Sequence, residues 1–321
     1  MNLPPNQLDF YKSKKIMVSG AGGYVGGQLV NALSALEPSL LTPLSNVKDV
    51  HLVDTWDKLI DQEYDIIFHL IAQTSSHVAN EHPESDFQVN VLPVRSIVEV
   101  CRKRNFVPTI IFPSTACVYG LADISDGQLQ ISESVVPHPT TIYECHKLAA
   151  ENYLRYFSQA GGCRSASIRL PNVYGPGQLK DNDRGVLNKM IRRAVNGEDL
   201  AVFNPISNCV RDYIYISDVI IALLSAAHCI DNLNGGIYNI GTGVGHTISS
   251  AFNMVAQRVG LKTGKYVNVN EVHMKKEDFL LVELRNFIAD IDLFKSLSSW
   301  QPVVGLAEGI DKTIDYFMEG Q

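Results

Sequence analysis

Lys15-Ile16-Met17-Val18-Ser19-Gly20-Ala21-Gly22-Gly23-Tyr24-Val25-Gly26-Gly27 is a short apolar run that breaks into glycines. Val25, Leu29, Leu33 and Leu36 follow at helical spacing. The stretch therefore reads as strand, glycine turn and helix, the opening of a βαβ unit. Gly20, Gly23 and Gly26 are spaced three and three, in the position where such glycines carry meaning. Residues without Cβ let the chain turn tightly, and they let a pyrophosphate approach the exposed N–H groups at the helix start. The helix dipole adds a modest attraction for the anion. Gly20, Gly23, Tyr24, Val25 and Gly26 are the candidate cofactor contacts here.

Working outward, residues 65–70, 109–113 and 164–170 are further buried-strand runs, and Pro83–Arg104 and Tyr143–Gln159 read as helices. This alternation predicts an α/β fold, a doubly wound parallel sheet of Rossmann type with helices on both faces. Residues 1–14 read as a loose polar lead-in. Residues 15–174, with returning segments, read as the dinucleotide-binding domain. Beyond residue 175 glycine, proline and asparagine become denser, so 175–321 reads mostly as a smaller α/β substrate-binding lobe.

The chain of 321 residues is 45% apolar and 19% charged, which supplies a sizeable core and excludes global disorder. Its net charge of −7 leaves no basic stripe, so no nucleic-acid partner is expected, while a small anionic ligand needs only local donors. No apolar run approaches a membrane span, and Met1–Lys15 has no apolar signal-peptide stretch. The six cysteines are scattered without a Cys-x-x-Cys pair, so they read as free thiols in a reducing, cytoplasmic setting and not as a metal site.

A dinucleotide site usually has an acid after the second strand to hold the adenosine ribose. Residues 40–46 offer none, and Asp54 is expected at the end of a third strand, near the adenine. With neither a ribose acid nor an arginine for a 2′-phosphate, the reading leans to NAD, with NADP still open. Tyr143 and Lys147 stand four apart on a predicted helix and so share a face. An ammonium beside a phenol favours the phenolate, which can take a proton from an alcohol while hydride leaves the same carbon. Ser114 and Thr115 end a strand, where ligands of doubly wound sheets bind.

With the glycine turn, the chain carries His69-Leu70-Ile71-Ala72, Asn90, Ser114-Thr115-Ala116-Cys117-Val118-Tyr119-Gly120, the Tyr143/Lys147 pair, residues 169–176, residues 211–219 and residues 238–243. Taken in order, these resemble the extended short-chain dehydrogenase/reductase family, in its nucleotide-sugar epimerase/dehydratase branch. The resemblance runs from about residue 15 to 318. It implies that Leu70, Ala72, Asn90 and Ser114 join the cofactor contacts. It implies that Thr115 bonds the reacting sugar hydroxyl, that Tyr143 is base and acid, and that Lys147 holds the nicotinamide ribose. Asn172 and Arg211 would bind the substrate diphosphate, for which a guanidinium fork is suited. Leu200 and Phe203 would flank the nucleotide base, Arg285 would reach a phosphate, and Asp290 would be structural. A homodimer through Phe87–Arg104 and Tyr143–Gln159 is expected by analogy, with a place in polysaccharide biosynthesis.

Dehydratases of this family use a Thr-Asp-Glu triplet; here the triplet is Thr115-Ala116-Cys117. Small residues after the hydroxyl suit a 4-epimerase, which needs no second acid–base pair. Cys117 keeps a variant dehydratase open, with a thiolate as base. A 4-keto-sugar reductase, a C4 dehydrogenase and a catalytically silent dinucleotide-binding protein are the other readings. The nucleotide is open among UDP, GDP, CDP and dTDP. Pro113 departs from the family pattern by standing immediately before Ser114.

Overall fold

The computed structural model describes residues 5–121, 130–177, 185–275 and 279–319, with side chains from Leu8 onward. Among them the strands run β1 (Lys15–Ser19), β2 (Leu40–Leu44), β3 (Ile66–His69), β4 (Thr109–Thr115), β5 (Arg164–Leu170), β6 (Asn172–Tyr174), β7 (Leu200–Asn204), β8 (Val210–Tyr215), β9 (Gly236–Asn239), β10 (Gly245–Thr247) and β11 (Val269–His273). The helices are α1 (Pro5–Lys12), α2 (Tyr24–Ser34), α3 (Val53–Leu59), α4 (Ser76–Glu81), α5 (Pro83–Asn90), α6 (Leu92–Lys103), α7 (Ile142–Gln159), α8 (Val186–Val195), α9 (Ile216–His228), α10 (Ile230–Leu233), α11 (Ile248–Thr263), α12 (Asp292–Ser298) and α13 (Leu306–Glu319).

Six parallel strands form the main sheet in the order β2-β1-β3-β4-β5-β9. Neighbouring residues on a strand point to opposite faces, and both faces are covered. Ile16, Val18, Phe68 and Ile168 face one core with Leu29 and Leu33 of α2 and Leu223 of α9. Met17, Ile67, Ile110 and Phe112 face the other, with Trp56 of α3, Ile97 of α6 and Leu154 of α7. This double burial explains why the strands read as unbroken apolar runs. Pro43 is tolerated in β2 because β2 is the edge strand, where a missing N–H leaves no ladder partner unserved. β9 returns from the second half of the chain to pair with β5, Ala166 opposite Gly236. The smaller sheets are β10-β8-β6 and β11-β7. Among the described residues no helix is long and apolar enough to cross a membrane, and no group of three His, Cys, Asp or Glu could hold a metal.

Three expectations change. The described part of the lead-in is not loose: α1 packs on α9, with Tyr11 fully buried and its hydroxyl donating to Leu224 O at 2.5 Å. The helix predicted over 83–104 is two helices, α5 and α6, that meet at Val91. Pro93 has no N–H to give to the carbonyl four residues earlier, so the helix restarts with Pro93 in its first turn. Asp54 does not end a strand. It stands exposed in the first turn of α3, whose position is set by buried Trp56 donating Nε1–H to Val50 O at 2.7 Å.

Candidate active site

The strands of the main sheet point their carboxyl ends at one edge, and Gly20, Leu70 and Thr115 lie there, at or just past the ends of β1, β3 and β4. At the first of these ends the backbone folds back on itself. Gly23 N donates to Gly20 O at 3.0 Å, and a Cβ on Gly26 would sit 2.1 Å from that same oxygen. Gly20 has φ +79°, and a Cβ there would come within 2.6 Å of Leu70 C. No side chain fits at either position. Gly23 is the extended N-cap of α2, whose first-turn amides have no acceptor within the helix and are free to face an anion. Val25 is half-buried against the core.

Tyr24 follows Gly23 in the first turn of α2. Its hydroxyl donates to Gly175 O at 2.9 Å, and burial pushes its pKa up, so it ties the glycine turn to the loop after β6. Asn188 of α8 grips Gly175 from the other side, at both N and O, 2.9 Å each. Ser45, the first residue past β2, lies over Gly22, 3.3 Å from where a Cβ would be. A neutral hydroxyl thus stands at the turn where a ribose acid is usual.

Two buried oxygens at this end of the sheet have no hydrogen-bond partner among the described residues: Ser114 Oγ at the end of β4 and Asn90 Oδ1. The Asn90 amide donates to Gln73 O at 2.9 Å, on the loop past Ala72. Unserved acceptors beside a glycine cradle fit a bound group that brings its own donors, as a nicotinamide riboside does. His69 bonds Ser19 Oγ through Nδ1 at 2.7 Å, and its Nε2 has no partner among the described residues. Burial, then the Lys147 charge, drives its pKa down to about 3, so it is a neutral ring packed beside Trp56 and Phe112.

Helix α7, which carries Tyr143 and Lys147, is fixed at its start. Glu144 is fully buried, and its Oε2 accepts from the amides of Thr140 at 2.6 Å and Thr141 at 3.0 Å. Asn80 Oδ1 takes the next amide, Ile142 N, at 3.0 Å. That cap holds Tyr143, 8% exposed, in the first turn. One turn on, Lys147 runs inward: its Nζ donates to Pro113 O at 2.7 Å and lies 3.8 Å from the Phe112 ring centroid. The Pro113 carbonyl therefore seats the ammonium. Burial lowers the Lys147 pKa to about 7, and the Glu151 and Asp86 carboxylates pull it back up. α7 packs on β4 and on the turn Ala116–Tyr119, where Thr115 Oγ1 accepts from Cys117 N at 3.1 Å. Cys117 itself is half-buried.

The residues expected to hold a diphosphate lie on the neighbouring sheet. Asn172 opens β6, half-buried, opposite Tyr213 of β8. Arg211, 4% exposed, donates to the carbonyls of Val210 at 3.1 Å, Glu283 at 2.6 Å and Arg285. It meets no carboxylate among the described residues. Asp212 instead accepts from Thr242, Gly243 and Ala289, and Asp218 from the amides of Val303 and Val304. Burial, then the Arg285 charge, lowers the Arg211 pKa to about 10. Two guanidinium groups whose charges act on each other, with no carboxylate paired to either among the described residues, favour an anion. Asp290 accepts from Asp292 N at 3.0 Å, a local cap.

Leu200 and Phe203 are not brought together. They are three residues apart on β7, so they point to opposite faces. Leu200 is core, 1% exposed, and Phe203 is 41% exposed. Only Phe203 is available to a base.

Comparison with known proteins gives the family. Residues 16–241 match the model of the NAD dependent epimerase/dehydratase family. The chain is similar to the UDP-glucose 4-epimerase of Mycolicibacterium smegmatis, 28% identical over 94% of this chain and 98% of that one. It is similar to the crystal structure of UDP-glucose 4-epimerase with UDP-glucose from Thermotoga maritima, with TM-score 0.83 and 26% identity, covering 95% and 99% of the two chains. The NAD complex of UDP-glucose 4-epimerase from Thermus thermophilus matches with TM-score 0.80 and 28% identity, again over 95% and 99%. The family match runs from the first strand to the returning ninth, and so takes in the whole dinucleotide sheet with Tyr143 and Lys147. The chain therefore belongs to the NAD dependent epimerase/dehydratase family and is an enzyme that works with a nicotinamide dinucleotide.

Proposed function

We propose that the enzyme is a nucleotide-sugar 4-epimerase, with UDP-glucose the first substrate to test. One observation carries the choice of reaction: the turn beside Thr115 holds Ala116 and Cys117 and no carboxylate, while the Tyr143/Lys147 helix is complete. Elimination across C5 and C6 needs a second acid–base pair; inversion at C4 does not. Thr115 orients the C4 hydroxyl, and Tyr143, its proton affinity lowered by the Lys147 ammonium, takes and returns the hydroxyl proton. When bound, the coenzyme supplies a reversible hydride acceptor for C4. NAD is the favoured form because Ser45 offers no charge for a 2′-phosphate. Gly20, Gly23, Tyr24, Val25, Gly26, Leu70, Ala72, Asn90, Ser114 and Lys147 line its site, with residues 15–174 and β9 as its domain. Asn172, Arg211, Arg285 and Phe203 serve the nucleotide diphosphate, mostly from residues 175–321. A cytoplasmic homodimer through α5, α6 and α7 completes the reading; α7 exposes Tyr153 and Tyr156.

The test is incubation with NAD and UDP-glucose in deuterated water, read by NMR. The C4 epimer should form with no deuterium at C5. A 6-deoxy-4-keto product carrying C5 deuterium, lost in Cys117→Ala, would establish the dehydratase reading instead. No turnover of any of the four nucleotide classes would refute both. Arg211→Ala should weaken nucleotide-sugar binding by roughly 2 kcal/mol or more, because a charged donor to the diphosphate is removed. Calorimetry that gives the same Kd for variant and parent would place the diphosphate elsewhere.

A further inference from the structure

Lys147 is the cation the reading above depends on, and it is seated on a carbonyl and a ring, not on an acid. Its Nζ meets Pro113 O and Phe112 from β4, and its charge reaches His69 of β3. Two buried carboxylates act on it at longer range, Glu151 on its own helix and Asp86 on α5. They are not equivalent. Both oxygens of Glu151 are taken by Arg169 of β5, at 3.0 and 2.7 Å, so that charge is already balanced. Asp86, 1% exposed, has no such partner. Its Oδ1 accepts from Gln73 Nε2 at 2.7 Å and Asn90 Nδ2 at 2.9 Å, and its Oδ2 lies 2.7 Å from His146 Nδ1. Two of these three partners are neutral amides. The third is the residue next to Lys147, with its ring edge-on to Phe87 at 5.4 Å.

We propose that Asp86 and His146 are a positioning pair that sets how firmly Lys147 keeps its proton. With His146 neutral, its Nδ1–H orients the Asp86 carboxylate, and the charge of that carboxylate is left to favour the Lys147 ammonium. With His146 protonated, the imidazolium neutralises Asp86 from 2.7 Å, and that carboxylate no longer favours the Lys147 ammonium. The two groups thus compete for one buried carboxylate. Asp86 also anchors Asn90, so the same carboxylate orients the amide whose Oδ1 is unserved. Neither Asp86 nor His146 is assigned contact with substrate; they act through Lys147. The inference rests on Lys147 being the cation of the active site.

The experiment reads that amine directly. The full-length protein, without coenzyme or sugar, is labelled with 15Nζ/13Cε-lysine, and the Lys147 signal is assigned by its loss in Lys147→Met. Asp86→Asn should lower the Lys147 titration midpoint by about half a pH unit or more, because an attractive charge has gone. His146→Ser should move it the other way, because the competitor has gone. A general packing defect would not give shifts of opposite sign. An unchanged midpoint in Asp86→Asn, or shifts of the same sign in both variants, overturns the proposal. If Asp86→Asn does not fold, His146→Ser decides alone: a midpoint that stays or falls overturns it. Because no substrate is present, a protein that turns over no sugar yet shows these shifts would refute the epimerase reading and leave this one standing.

Discussion

Tyr143→Phe is expected to fold like the parent and bind NAD with the parent's affinity, yet to convert nucleotide sugar roughly 10²–10⁴-fold more slowly. The change removes one oxygen and keeps the ring. Tyr143 is 8% exposed in a first turn whose geometry is fixed by Glu144 and Asn80, neither of which the substitution touches. The proton acceptor for the C4 hydroxyl is what disappears. Thr115 remains to orient the sugar, so the Michaelis constant should move far less than kcat. Steady-state kinetics beside thermal unfolding of the two proteins checks this. A variant with near-parent kcat would show that another group takes the proton, and Cys117 would be the next to test.

Arg169→Leu should destabilise the fold by roughly 3–5 kcal/mol, a large part of what a domain has, because breaking a buried ion pair strands its partner. Arg169 is 3% exposed and Glu151 is fully buried. The guanidinium holds both carboxylate oxygens and lies 4.7 Å from the Tyr119 ring centroid. Glu151 would be left with no donor to either oxygen. Replacing both, Arg169→Leu with Glu151→Leu, should recover most of the loss, since neither charge is then buried. Urea unfolding of the three proteins decides it. A single variant within about 1 kcal/mol of the parent would show that water enters and serves Glu151.

Helix α7 was legible because its information is local. The spacing of Tyr143 and Lys147 puts both on one helix face wherever that helix goes, and β1, the glycine turn and the strand 164–170 are marked by runs of their own residues. What depended on one residue against a periodic pattern was not legible: apolar spacing carries straight through Val91, and only the absent N–H of Pro93 breaks the helix. α1 was missed because Leu8, Phe10 and Tyr11 are too few for a clear period, and their helix is held by α9, over 200 residues away. Asp54 was misplaced because a short apolar run, residues 50–53, does not by itself tell strand from helix start.

By itself the sequence determined the fold class and the family, and it marked the glycine turn and the Tyr143/Lys147 pair as the candidate site, since each is written in neighbouring residues. Tertiary structure alone decided the charges. It showed that Arg211 is held by carbonyls 72 and 74 residues on, that Glu151 already belongs to Arg169, and that Asp86 stands against His146 across 60 residues of chain. The strength of a charge depends on what surrounds it in space, and those surroundings come from distant strands and helices that no local pattern records.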